Sequence, residues 1–170
     1  MEKLSSVEPW LTGSRADVHA LLAPTLYAYE QARSDVASWT QPLSYAQIWS
    51  RPHGLASVGF QIRHIAGSVE RLTTYLKGDQ LTAEQLDAMK KEMDQGPGRE
   101  ELLRILGDSL RQSEEAILAL DPATLDQPRY VGRKRLPTTV IGLVVHLAEH
   151  TQRHVGEAII TAKLVRALSA

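Results

Sequence analysis

Half of the chain's six histidines fall at four-residue intervals in one segment, His146-Leu-Ala-Glu-His150-Thr-Gln-Arg-His154-Val-Gly-Glu157. Imidazole titrates near neutrality and is the commonest metal ligand, so this spacing suits metal binding or proton transfer. On a helix, four residues advance the chain by about 6 Å and turn it by only about 40°, which lets adjacent pair members address one cation. With Leu147 at zero and 100° per residue, Val144, Thr151, Val155, Ala158, Ala162 and Val165 cluster within roughly 40 to 80° on one side. His154 then falls at about −20° and His150 at about −60°, the margin of the buried face, whereas His146 lies at about −100°, toward the wetter flank. Glu157, at about −80°, shares the His150 margin. His150 and His154 are therefore the inward pair, and His146 and Glu157 are candidate proton acceptors beside them. A polar helix flank is the plain alternative for the pair. The first His is not followed by Glu as in His-Glu-x-x-His, which counts against that protease class.

The chain has no cysteine, which excludes disulfides, thiolate metal sites and a thiol nucleophile of its own. Any metal must then be held by His and carboxylates, and an open catalytic site takes three protein ligands. The third comes from elsewhere in the chain, and His19, His53 and His64 are the candidates. His64 is the strongest because it lies inside a helical segment, on a flank with Phe60, Ser68 and Tyr75. That flank is about 120° from the centre of the apolar stripe, an angle that by itself favours a boundary or surface His over a ligand. His53 follows Pro52 in a loop, and His19 sits in the first turns of a helix. Three neutral imidazoles would leave a position at which a metal can activate water or an external thiol.

The elements that must carry these residues are helical. A first helix is expected over Ser14 to Trp39, with Ser14 and Asp17 as a capping pair and Val18, Leu22, Thr25, Tyr29, Ala32, Val36 and Trp39 as its seam. Pro24 inside it should kink or break it. The second runs from about Ser57 to Lys77 on the stripe Val58, Ile62, Ile65, Val69, Leu72 and Leu76, and ends at Gly78. Residues 41–54 read as loop. A short helix follows the capping box Thr82-Ala-Glu-Gln85 and closes by Gly96-Pro97-Gly98. The third main helix covers about Arg99 to Leu120, residues 126–136 are loop or at most a short hairpin, and the fourth runs from about Pro137 to Leu168. The expected fold is all-α, a four-helix bundle with a short extra helix between helices 2 and 3, in one domain over residues 1–170.

Composition narrows the function. Hydrophobic residues make up 43% and charged residues 23%, with a net charge of −1, so the chain has no global field to draw nucleic acid or anionic lipid. The basic residues Arg129, Arg133, Lys134 and Arg135 read as a solvated loop, and Trp10, Trp39 and Trp49 read as packing anchors. The longest apolar run, Val140 to Val145, is far short of the roughly 20 residues of a membrane span, and the start lacks an apolar signal-peptide core. A cytoplasmic protein is expected, acting on a small molecule with neither nucleic acid nor membrane as partner.

The residues resemble the DinB/YfiT-like superfamily of helical metalloenzymes. The likeness is carried by His64 in Ser57-Val-Gly-Phe-Gln-Ile-Arg-His64-Ile-Ala-Gly, by His150-Thr-Gln-Arg-His154-Val-Gly156, and by His146 four residues ahead of the pair. It implies an up-down-down-up four-helix bundle, a divalent metal (commonly zinc or nickel) on His64, His150 and His154, and frequent dimers, so a homodimer is expected. It also implies S-transfer with a low-molecular-weight thiol cosubstrate for some members. Many relatives carry Gln after the glycine where this chain has Glu157, so neither substrate nor mechanism transfers directly. Gly156 itself would let a helix or ligand approach. The leading expectation is a metal-dependent enzyme, a transferase or hydrolase, with Glu157 and His146 as catalytic candidates. The rival is a non-catalytic dimeric bundle that binds a small ligand, its metal structural or absent.

Overall fold

The computed structural model describes residues 7–169. Among them are six α-helices and one β-hairpin: α1 (Ala23–Thr40), α2 (Tyr45–Trp49), α3 (Val58–Leu76), α4 (Ala83–Lys90), α5 (Arg99–Leu118), β1 (Pro128–Val131), β2 (Leu136–Thr139) and α6 (Val140–Leu168). The predominantly helical expectation holds, and no helix among the described residues is long and apolar enough to cross a membrane.

The helices start where the sequence offers a side-chain acceptor for their free N–H groups. Ser57 Oγ accepts from Phe60 N at 3.1 Å ahead of α3, Thr139 Oγ1 accepts from Gly142 N at 3.1 Å ahead of α6, and Thr82 and Gln85 close the expected capping box of α4. The apolar stripe of α3 is buried from Val58 through Ile62, Ile65 and Val69 to Leu76, against Leu102, Leu106 and Leu110 of α5 and Val144, Leu147 and Val155 of α6.

Side-chain contacts give the direction of each packed pair. Between α1 and α6, Thr25 Oγ1 donates to Val144 O at 3.0 Å, Gln152 donates to Ala28 O at 2.7 Å, and Lys163 lies over Trp39, so both helices run the same way. Helix α3 runs against α6, since Gln61 meets Glu157 near its start and His64 meets His150 further along. It runs with α5, where Ser109 donates to Ala66 O at 2.6 Å and Thr73 donates to Ser113 at 2.8 Å. Helix α1 runs against α5, with Tyr29 on Ser113 at 2.9 Å and Arg99 donating to Ala37 O at 2.9 Å.

Two local expectations are corrected, and a third segment takes one of its two expected forms. Helix α1 starts at Ala23 and not at Ser14, because Pro24 belongs to its first turn, where a missing N–H costs nothing. The residues before it form turns, and Asp17 pairs with Arg15 at 2.6 Å instead of capping. Val18 and Leu22 still pack on the core, which is why the periodicity runs on past the helix. Residues 41–54 are not all loop: α2 forms on a capping box made by Ser44 and Gln47. The segment 126–136 resolves to the hairpin, with Val131 opposite Leu136 and Gly132 at φ 70° in its turn. Arg133, Lys134 and Arg135 are exposed at its tip, while Arg129 reaches back to donate to Leu76 O at 2.8 Å at the end of α3.

Candidate metal centre

Helix α3 contributes one imidazole and the antiparallel α6 contributes two. The ring of His64 lies 4.4 Å from that of His154 and 5.2 Å from that of His150, with 4.5 Å between the last two, centroid to centroid. One ring nitrogen from each lies within 4.8 Å of the others, and all three residues are half-buried. The structure thus brings together the three residues expected to ligate a metal. His19 and His53 lie outside this group, His53 with a left-handed backbone at φ 50° in a 3-10 turn.

The tautomers follow from the hydrogen bonds. His64 Nδ1 donates to Glu92 Oε2 at 2.7 Å, and His154 Nδ1 donates to Gln61 Oε1 at 2.7 Å. In a neutral imidazole that leaves Nε2 of each ring as a lone-pair donor. His64 Nε2 has only a long 3.4 Å approach from Ser68 Oγ, and Phe60 stacks on the His64 ring at 5.3 Å. Burial, followed by the neighbouring imidazoles His154, His64 and His146, pushes His150 down to about 4. Burial and His64 likewise lower His154 below the usual imidazole range. Both rings are therefore neutral at pH 7, the form that ligates. A donor set of three neutral imidazoles, two of them held with one nitrogen free, fits a divalent ion such as zinc.

Two of the residues that hold the rings carry no periodic signal in the sequence. Glu92 sits in the turn after α4, its side chain 8% exposed, between His64 and Arg71, whose Nη1 donates to Oε1 at 2.5 Å. Burial raises the Glu92 carboxyl, but the bonds from His64 and Arg71 outweigh it and hold the group below its ordinary value. Gln61 bridges two groups, accepting from His154 and donating through Nε2 to Glu157 Oε2 at 2.8 Å. A polar residue on the core side of α3, directly before Ile62, was the available signal for Gln61.

The two expected proton acceptors occupy different places. His146 is 5.4 Å from His150, ring to ring, and its Nδ1 donates to Glu149 Oε1 at 2.5 Å; Arg153 bonds the other oxygen of Glu149. With His150, Ser68, Arg71, Leu72 and Tyr75 it lines a cavity of about 210 Å³. Glu157 lies on the Nδ1 side of His154, 3.6 Å from that nitrogen, and lines a separate cavity of about 440 Å³ with Gln61, Leu55 and Ile160. Gly156 admits no neighbouring helix, since a Cβ there would meet nothing within 4 Å. Glycines that do permit close approach beside the site include Gly59, against Trp49, and Gly67, against Glu92 and Arg71.

A helical protein with three imidazoles from two antiparallel helices converging on one point belongs to a class able to hold a divalent metal. The sequence model of the DinB superfamily matches residues 28–158. The chain is a member of that superfamily. No curated protein matches it.

Proposed function

We propose that the chain is a divalent-metal-dependent enzyme built on an up-down-down-up four-helix bundle, with His64, His150 and His154 as its metal ligands. The observation that carries this is the convergence of the three imidazole nitrogens within 4.8 Å of one another. The pair directions of α1, α3, α5 and α6 support the bundle. When bound, a divalent ion supplies Lewis acidity and lowers the pKa of a water or thiol presented to it. Zinc and nickel both suit three imidazoles. Any thiolate nucleophile comes from outside, because the chain has no cysteine. The reaction is transfer from a low-molecular-weight thiol, or hydrolysis.

The cavity of about 210 Å³ beside His150 is the substrate's entry. Its guanidinium, on Arg71, is already bonded to Glu92 and Ser68, so no unpaired cation awaits an anionic group. Leu72, Leu81, Met89 and Tyr75 form the rest of the wall and favour a small apolar substrate portion. His146, which lines this cavity, takes the proton: Glu149 engages its Nδ1, which leaves Nε2 as the acceptor. Glu157 acts through Gln61 to steady His154 and is a positioning residue.

The test is elemental analysis of protein purified without added metal, followed by zinc or nickel titration. About one equivalent bound is expected; less than about a tenth with no uptake would refute the reading. A screen of small electrophiles with several cellular thiols, and with water alone, then separates transferase from hydrolase. His146→Ala should keep the metal and lose about 10²- to 10⁴-fold in turnover.

A further inference from the structure

We propose that Glu92 is a positioning residue of the metal centre: its carboxylate, itself held by Arg71, fixes the His64 ring with Nδ1 protonated and Nε2 directed at the site. The inference rests on the reading of His64, His150 and His154 as ligands, and three independent features carry it.

The first is how the carboxylate is used. Glu92 and Arg71 are both nearly buried, with side chains 8% and 10% exposed. Arg71 binds Oε1 at 2.5 Å through Nη1 and Ser68 Oγ at 3.2 Å through Nη2. Arg71 already pairs the buried negative charge through Oε1. The second oxygen is nevertheless aimed at an imidazole, 2.7 Å from His64 Nδ1. A carboxylate in that position selects one tautomer, restrains the ring and raises the basicity of the far nitrogen. Gln61 orients His154 in the same way but brings no charge, so His64 is the more strongly backed of the two.

The second feature is the space made for this carboxylate. A Cβ on Gly67 would lie 2.4 Å from Glu92 Oε1 and 2.8 Å from Arg71 Nη1. Glycine inside a helix is less favourable than alanine, so residue 67 departs from what α3 alone would prefer, in the turn that faces Glu92.

The third is the delivery of Glu92 from an anchored segment. It follows the end of α4 at Lys90. The chain beyond it is pinned by Arg63 donating to Asp94 O at 2.8 Å, Tyr45 donating to Gly96 O at 3.0 Å and Trp49 donating to Pro97 O at 3.1 Å. The carboxylate is thus presented to α3 by a connector tied to α2 and α3.

The test uses the full chain and two readouts. In metal-free protein, long-range ¹H–¹⁵N NMR reports the His64 tautomer: a single Nδ1–H form is expected in the wild type, and a mixture in Glu92→Ala and Gly67→Ala. Zinc affinity, measured by competition with a chromophoric chelator, should fall about 10- to 100-fold in both variants. Gly67→Ala is the more telling, because helix propensity alone predicts a gain in stability there. If Glu92→Ala does not fold with Arg71 left unpaired, the double variant Arg71→Met/Glu92→Met removes both charges. It should keep its melting temperature and still lose the affinity. Zinc binding within about twofold of wild type in these variants, with an unchanged tautomer, overturns the role of Glu92. A wild type that binds no zinc overturns the ligand reading instead, and the metal-free tautomer then decides on Glu92.

Discussion

The metal-free protein should be acid-sensitive in a way that depends on His150. Burial and the surrounding imidazoles hold its folded-state pKa at about 4, against 6.5 for the ordinary group. Below 6.5 the unfolded chain takes up a proton that the folded chain refuses, so stability falls as pH drops from about 6.5 toward 4 and then levels off. A shift of that size corresponds to about 3 kcal/mol at full effect, and screening of a half-buried ring reduces this to about 2 kcal/mol. His154, lowered by burial and His64, acts in the same direction. Glu92, whose carboxyl is held below 4.5, gives a contribution that is kept above 4.5 and fades only as pH falls through its lower folded value. The assay is urea unfolding of chelator-treated protein at a series of pH values from about 7 to about 4, with His150→Ala alongside. The wild type should lose about 2 kcal/mol more than the variant across that range. Equal losses in the two proteins would refute the reasoning.

Other perturbations test the packing that positions the site. Leu106→Ala, at a position 1% exposed between α5 and α3, should cost about 2 to 5 kcal/mol in denaturant unfolding through the cavity it leaves. Gly59→Ala places a Cβ 2.8 Å from three atoms of the Trp49 ring. It should destabilise by about 1 to 3 kcal/mol and shift the Trp49 fluorescence, where helix propensity alone predicts a gain. Thr151 Oγ1 is buried without a partner, so Thr151→Val should leave the melting temperature unchanged or raise it by the equivalent of about 1 kcal/mol. A clear loss there would show that the hydroxyl is bonded.

The His150 and His154 pair is legible from spacing alone, because α6 is a continuous helix and its apolar positions define the inward side. The same reasoning places His146 on the wet flank, and its side chain is 43% exposed against 14% for His154. For His64 the angle misleads when judged against the core: its offset from the stripe of α3 reads as surface. The site lies on the seam between α3 and α6, at the margin of the core, so a boundary angle is what a ligand there requires. Periodicity also overran the start of α1, since Val18 and Leu22 bury their side chains from turns and not from a helix. Glu92 was not legible at all. It lies 28 residues from His64, in a turn with no repeating pattern, and the tertiary packing of α4 and the connector after it brings the two together.

The central claim is that three ring nitrogens from two helices share one cation. Anomalous X-ray diffraction from crystals grown with zinc, collected on either side of the zinc edge, tests it most directly. The account predicts a single strong peak at bonding distance, about 2.0 to 2.1 Å, from Nε2 of both His64 and His154 and from a ring nitrogen of His150. A peak held by His146 and His150 alone, with His64 turned away, would contradict it.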